Sequence, residues 1–375
     1  MLRSIRLTNF KCFEQLDLDC TMINLLCGLN GMGKSSIVQA LLVLRQSFET
    51  GELTNGRLVL GGERVDLGAG LDILFENAAS DFIRFSLEDD NAPQEWEMGF
   101  EYSRTADQLS ALPNDVEAGY DYVPPSWRKL PPFGGNLIYV NAERIGPRKL
   151  YPLSDMFARR VDFGASGEFA WSYLSHCQND LLPDNDPRCV ASERRRLRDA
   201  VDQWLQEVHP GAHLELEEIT AADAILPGFA FDRAGDVATR PYRATNVGFG
   251  LSYVLPVILA LLAQPNTLCM IENPEAHLHP RGQTKLAELA ALAASVGVQV
   301  FVETHSDHFI DGVRIAVRDG IITPEDTAFH YFERDGSHTV VSSPQVDQDG
   351  RLSRWPAGFF DQHEENLARL IAPRA

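Results

Sequence analysis

Apolar residues at Leu2, Ile5, Leu7 and Phe10, then Leu16 and Leu18, then Met22, Ile23, Leu25 and Leu26 alternate with polar ones. That is the rhythm of short strands, whose successive side chains point to opposite faces. After a glycine-rich loop, apolar positions 37, 38, 41, 42, 44 and 48 share one side of a helix running from Ile37 to Phe48. From Gly51 to Tyr122 glycines multiply, and the short strand candidates Phe82–Leu87 and Trp96–Tyr102 stand between acidic turns. This stretch predicts a solvated antiparallel β-region with no chemistry of its own. Pro124, Pro125, Pro131 and Pro132 punctuate its exit. Leu137–Asn141 is the next strand, and a helical pattern covers 190–207. From 245 onward helices and strands alternate: an apolar helix over 251–263, a buried strand over 267–272, an Ala/Leu helix over 281–295 and a strand over 298–303. Strands at 327–333 and 338–342 and a helix at 362–371 close the chain. The alternation predicts a layered α/β fold with a partly parallel sheet. It divides into a β-rich N-terminal part (1–142), a helical insertion (143–242) and a C-terminal part (243–375).

Charge narrows the function. The 375 residues hold 33 Lys plus Arg against 53 Asp plus Glu, 33 − 53 = −20, which argues against a nucleic-acid binder that uses its whole surface. Residues 81–121 alone carry eleven acids against two Arg, 2 − 11 = −9. The run Arg194, Arg195, Arg196, Arg198 leaves room for a local grip on nucleic acid, although Glu193 and Asp199 flank it as on a solvated helix face. The apolar run Val254 to Ala263 is broken by Pro256 and falls short of a bilayer span, and the N-terminus lacks the apolar core of a signal peptide. Six cysteines form no CxxC pair and read as small buried hydrophobes. The expectation is a cytoplasmic protein with no membrane partner.

Gly28-Leu29-Asn30-Gly31-Met32-Gly33-Lys34-Ser35 satisfies GxxxxGK[ST], between an apolar strand and an amphipathic helix. Glycines let backbone N–H groups converge on phosphates, and the helix N-terminus adds a favourable dipole. Lys34 is placed for the β- and γ-phosphates of ATP, and the Ser35 hydroxyl for Mg²⁺. Further on, the apolar strand Leu268–Ile271 ends in Glu272-Asn273-Pro274-Glu275. An acid at the carboxyl end of a buried strand is where a phosphate-loop protein holds its cation and attacking water. The strand Gln299–Val302 leads into Glu303-Thr304-His305-Ser306, where a histidine can hydrogen-bond a γ-phosphate. Asn246-Val247-Gly248-Phe249-Gly250 precedes an apolar helix, a second exposed helix N-terminus suited to an anion.

These features in this order resemble ABC-type ATPases of the recombination-protein-F, OLD-nuclease and structural-maintenance-of-chromosomes group. The strings NFKCF (9–13), GLNGMGKSS, ERIGPR, NVGFGLS, IENPEAHLHP, ETHSDHF and WPAGFFDQ (355–362) look most like stand-alone bacterial ATPases with relatives in anti-phage systems such as Septu and Gabija. The resemblance implies an ABC-type head with a mixed sheet, two ATP molecules sandwiched between two copies, and Mg²⁺ at each site. It places phosphate on Gly28, Asn30, Gly31, Met32, Gly33, Lys34, Ser35 and Ser36, and Mg²⁺ on Ser35 and Glu272. Lys11 lies near the nucleotide, His305 is the switch histidine, and Gly248 and Gly250 face the partner's γ-phosphate. It also implies a homodimer or higher oligomer and a separately encoded protein effector, a nuclease among the candidates.

Two departures bear on catalysis. Asn273 stands where the family's catalytic Glu follows the metal acid; asparagine cannot act as a general base, so Glu275 orients the water or hydrolysis is slow. Aligning Gly248-Phe249-Gly250 with the signature core puts Phe249 where the serine belongs, and aligning Ser252 instead loses the glycines. An ATP sensor that barely hydrolyses, and a repair ATPase acting directly on DNA, are therefore the rival readings. His277, His279, His305 and His308 invite a metal site, but their spacing favours structural histidines beside the nucleotide. Seventy residues follow His305, too few for the nuclease domain that OLD-like enzymes carry.

Overall fold

The opening alternation folds into β1 (Leu2–Phe10) and β2 (Phe13–Asp19), antiparallel, with Leu7 opposite Leu16 and Ile5 opposite Leu18. β3 (Ile23–Gly28) leaves this pair and is buried at every position, and α1 (Lys34–Glu49) follows it across the glycine loop. In the acidic region, β4 (Arg57–Val59), the single turn α2 (Gly70–Ile73), β5 (Phe82–Asp89), β6 (Trp96–Glu101) and β7 (Gln108–Ser110) follow. β5 and β6 extend the first pair into an antiparallel sheet of order β2-β1-β5-β6, while β4 pairs with β7. This computed structural model describes residues 1–113, 122–156, 162–189, 194–233, 238–336, 338–355 and 362–371.

β8 (Leu137–Val140) opens the middle of the chain. Between 143 and 242 lie β9 (Tyr151–Pro152), α3 (Ala170–Cys177), α4 (Leu197–Val208), β10 (Ala212–Ile219), β11 (Ala224–Phe231) and β12 (Tyr242–Arg243). The two helices thus share this segment with an antiparallel sheet that the hydrophobic pattern did not reveal. The helical pattern over 190–207 is corrected at its start. Residues 190–193 lie outside the described residues, and Arg194, Arg195 and Arg196 precede the helix, which begins at Leu197. The reason is long-range pairing: Leu182 N donates to Arg195 O at 2.8 Å and Leu197 N to Asp180 O at 2.8 Å, which holds Arg196 in extended backbone.

α5 (Phe249–Leu261), β13 (Leu268–Glu272), α6 (Pro280–Ser295), β14 (Gln299–Glu303), α7 (Asp307–Arg318), β15 (Thr327–Asp335), β16 (His338–Ser342) and α8 (Gln362–Ile371) complete the chain. Of the string at 355–362, Trp355 packs against the Arg314 guanidinium, and residues 356–361 lie outside the described residues.

The central sheet has order β16-β15-β3-β14-β13-β8, parallel throughout except for β16. Its inner strands β3, β14 and β13 are mainly apolar because both faces are covered. Leu25, Cys269, Ile271, Val300 and Val302 point into the core shared with α5, α6 and the 143–242 segment. Leu26, Met270 and Phe301 point into the core under α1 and the antiparallel sheet. Parallel strands all end on one edge, so Gly28, Glu272 and Glu303 emerge together. No helix among the described residues is long and apolar enough to cross a membrane.

His330 in β15 is fully buried, and burial lowers its pKa from 6.5 to about 4. The unfolded chain therefore takes up a proton that the folded chain refuses. Stability from this site is complete above pH 6.5 and falls as pH drops through 6.5 toward 4, by about 2 kcal/mol at pH 5. His330→Gln is expected to remove that component, seen as a shallower fall of melting temperature between pH 6.5 and 5 than in wild type.

Candidate nucleotide-binding site

Between β3 and α1 the chain turns on three glycines of positive φ: Gly28 at 133°, Gly31 at 75° and Gly33 at 91°. The turn is also too crowded for side chains: a Cβ on Gly28 would lie 2.3 Å from Phe332 O, and one on Gly33 2.3 Å from Cys12 Sγ. A Cβ on Gly31 would meet nothing within 4 Å. α1 then starts with no capping side chain and no acid in its first turn. Apart from the Ser36 N–H, which donates to Gly33 O at 3.0 Å, its leading N–H groups carry no capping side chain, which suits this helix start to an anion.

Lys34 is buried, and its Nζ donates to Gly28 O at 2.9 Å and Leu29 O at 2.8 Å. Burial lowers its pKa, opposed by Glu303, whose Oε1 lies 3.9 Å from Nζ. Ser35 Oγ donates to Glu303 Oε2 at 2.8 Å. Beside the loop lies a cleft of about 560 Å³, within the range of small-molecule sites. Asn30, Gly31, Gly33, Lys34, Ser35 and Ser36 line it together with Lys11 and Gln39. Lys11, in left-handed backbone at φ 55°, reaches over it to donate from Nζ to Gln39 Oε1 at 2.6 Å. Met32 packs against the core under α1. Asp72 and Glu76, from the region expected to carry no chemistry, also line the cleft.

Glu272 and Glu303 are register partners at the ends of β13 and β14. Glu272 accepts from Tyr139 OH at 3.1 Å and Ala142 N at 3.3 Å. Glu275 accepts from Thr304 Oγ1 at 2.9 Å and from the backbone N–H of His305 at 2.7 Å. Burial raises the pKa of all three carboxylates. Asn273 turns the chain at φ 45°, donates its N–H to Glu303 O at 2.8 Å, and buries an Oδ1 with no hydrogen-bond partner among the described residues. Arg144 fastens this turn from below: it donates to Glu272 O at 2.8 Å, Asn273 O at 2.6 Å and Asn141 O at 3.2 Å, with its guanidinium 5.4 Å from the Tyr253 ring centroid. Burial lowers its pKa to about 10. The His305 imidazole is exposed, and burial of its inner side and nearby Lys34 lower its pKa.

The two glycines ahead of and inside α5, Gly248 and Gly250, differ in environment. Gly248 caps α5 with open space where a Cβ would be, whereas a Cβ on Gly250 would lie 2.7 Å from His277 O. Neither lines the cleft. Phe249 is 54% exposed and its ring lies 5.4 Å from that of His277, which also meets Tyr253 at 4.7 Å. His279 accepts from Arg281 N at the start of α6. No cluster of three or more His, Cys, Asp and Glu suited to a metal exists among the described residues. Magnesium is ordinarily held by one or two protein side chains and completed by phosphate and water. Ser35 and Glu303 supply hard oxygen donors of that kind.

Of the residues singled out from sequence, Lys11, Asn30, Gly31, Gly33, Lys34, Ser35 and Ser36 meet at the cleft. Glu272, Asn273, Glu275 and His305 gather at the adjoining strand ends. The Ser35–Glu303 contact was missed, although the acid preceding Thr304-His305 was the available signal.

Family models match three parts of the chain. An "AAA ATPase domain" model matches residues 1–98, one described as "AAA domain, putative AbiEii toxin, Type IV TA system" matches 183–311, and a "Protein of unknown function (DUF3696)" model matches 322–370. No curated protein matches in sequence. Among solved structures, the SmcHead bound to the C-winged helix domain of ScpA aligns with TM-score 0.52 at 14% identity, over 92% of this chain and 98% of that one. The Smc head domain with an extended coiled coil, bound to the C-terminal domain of ScpA derived from Pyrococcus furiosus, aligns with TM-score 0.51 at 13% identity, over 99% of each. The chain therefore has the α/β fold of an ABC-type ATPase head, and its AAA-type matches support a nucleotide-binding P-loop ATPase.

Proposed function

We propose that this chain binds Mg-ATP at the loop around Lys34 and hydrolyses it. It pairs head to head with a second copy and uses that closure to gate a separately encoded effector, in anti-phage defence. The observation that carries the reading is the uncapped start of α1, with Lys34 and Ser35 beside the acids at the ends of β13 and β14. Mg²⁺, when bound, neutralises developing charge on the phosphates. The backbone of 30–35 and Lys34 hold the phosphates, Ser35 and an acid hold the cation, and Glu275 orients water. Gly248, at the open end of α5, faces the second copy. Sandwiched triphosphates add charge-assisted hydrogen bonds across that interface, and loss of the γ-phosphate removes them. Protein partners find a parallel in the ScpA-bound heads.

The experiment is Mg-ATP turnover together with ATP-dependent change in molecular mass. Glu275→Gln is expected to cut turnover on the order of 10²- to 10⁴-fold with ATP affinity nearly unchanged. Unchanged turnover would remove Glu275 from the water-activating role.

Asn273 favours a second reading, an ATP sensor that binds, pairs and barely hydrolyses. Tight ATP binding and dimerisation without turnover is its signature. Direct action on nucleic acid has less support: Arg195 is paired with Asp184, Arg196 with Asp199, and Arg198 with Leu214 O and Glu215. DNA-stimulated hydrolysis that falls on replacing Arg194, Arg195 and Arg196 by Ala would revive it.

A further inference from the structure

Glu303 touches both groups of the loop that a nucleotide would engage. Its Oε2 accepts from the Ser35 hydroxyl at 2.8 Å, and its Oε1 stands 3.9 Å from the Lys34 ammonium. Glu272, by contrast, is occupied by Tyr139 and the Ala142 N–H. The charge around the cleft is unfavourable for a bare triphosphate. Lys11 and Lys34 are the cations lining it, against Asp72, Glu76 and Glu303. Glu272 and Glu275 add their negative charge at Glu303 from the neighbouring strand end. In a partly buried site such like charges repel far more strongly than in water. A divalent cation placed between carboxylate and phosphate reverses the sign, because it is then the largest local charge.

We propose that Glu303 makes this loop selective for the metal–nucleotide complex over the free nucleotide. Without a cation, its carboxylate competes with the triphosphate for Ser35 and Lys34. With one, the same carboxylate helps seat the ion on the Ser35 hydroxyl. Selection costs the site affinity for free ATP and disfavours pairing around a nucleotide that lacks its cation. This inference rests on the nucleotide-binding reading and adds to it the residue that sets cation dependence.

The test is calorimetric titration of the full chain with ATP, once in magnesium and once in EDTA. Wild type is expected to bind at least about tenfold more weakly in EDTA, a difference of about 1.4 kcal/mol. Glu303→Gln keeps the shape and a hydrogen-bond acceptor for Ser35 but removes the charge. It is expected to bring the magnesium-to-EDTA ratio within about threefold, chiefly by tightening binding in EDTA. Manganese electron paramagnetic resonance is expected to show a weaker ternary Mn–ATP complex in the same variant. Glu303→Ala, which needs no accommodation of an amide, is expected to shift the ratio in the same direction, so the idea does not depend on one variant folding. An unchanged ratio in the variants would overturn the proposal, as would wild-type binding that is equal in magnesium and EDTA, and both results leave ATP binding itself intact. A folded wild type that binds ATP in neither condition would overturn the nucleotide reading along with it.

Discussion

Lys34→Ala is expected to abolish Mg-ATP turnover and weaken ATP binding roughly 10³-fold, while changing folding stability by less than about 1 kcal/mol. The binding figure follows from two or three charge-assisted hydrogen bonds at about 1.5–3 kcal/mol each, set against tenfold per 1.4 kcal/mol. The small stability effect follows from the geometry. Lys34 is buried, and its ammonium rests on Gly28 O and Leu29 O beside Glu303. Its removal loses those contacts but also lifts the desolvation that lowers its pKa. Titration calorimetry with thermal unfolding of the same sample separates the two quantities. ATP binding that survives the substitution would mean that the loop does not carry the nucleotide. Binding lost together with a large drop in melting temperature would mean that Lys34 acts on the fold.

What was legible in the sequence is what local geometry determines. The glycine loop could be located because only glycine suits the positive φ of Gly28 and Gly33 and their close approach to Phe332 O and Cys12 Sγ. The inner strands β3, β13 and β14 of the central sheet were legible as apolar runs because both faces are buried. Pairings set by strand order were not. Ser35 and Glu303 are 268 positions apart and meet only because β14 lies beside β3. The arginines at 194–196 looked helical, yet Leu181 and Leu182 draw that backbone into extended pairing, a tertiary contact that overrides local periodicity. Asp72 and Glu76 were hidden for a related reason. They belong to an acidic segment whose composition reads as solvated surface, and the turn that brings them to the cleft is anchored by Lys11 N donating to Ile73 O at 2.7 Å.

Arg188 was equally hidden, a single basic residue in an Asp- and Pro-rich turn, and its substitution carries the largest expected cost to the fold. Its side chain is fully buried beside a buried Asp186, with Nε 2.9 Å from Oδ1 and an Nη 2.6 Å from Oδ2. The other Nη donates to Leu261 O at 3.0 Å and Ala263 O at 2.7 Å, where α5 ends, and Arg188 O accepts from Trp204 Nε1 of α4 at 2.7 Å. One guanidinium thus joins a turn of the middle segment to the carboxyl end of α5, where a cation is favoured by the helix dipole. Arg188→Ala leaves the Asp186 carboxylate buried with the backbone N–H of position 188 but without its guanidinium partner, and takes the donor from two helix-end carbonyls. The expected loss is about 3–5 kcal/mol, the cost of an uncompensated buried charge. Asp186→Asn combined with Arg188→Met removes both charges at similar volume and is expected to recover a substantial part of it. Denaturant unfolding of the single and double variants measures the coupling. Equal losses in the two would show that packing around Arg188, rather than the stranded carboxylate, sets the cost. Because α5 carries Gly248 at its other end, the single variant is also expected to weaken ATP-dependent pairing more than it weakens ATP binding. Lys34 has the converse effect, on binding first, so the two substitutions separate the nucleotide site from the helix proposed to face the second copy.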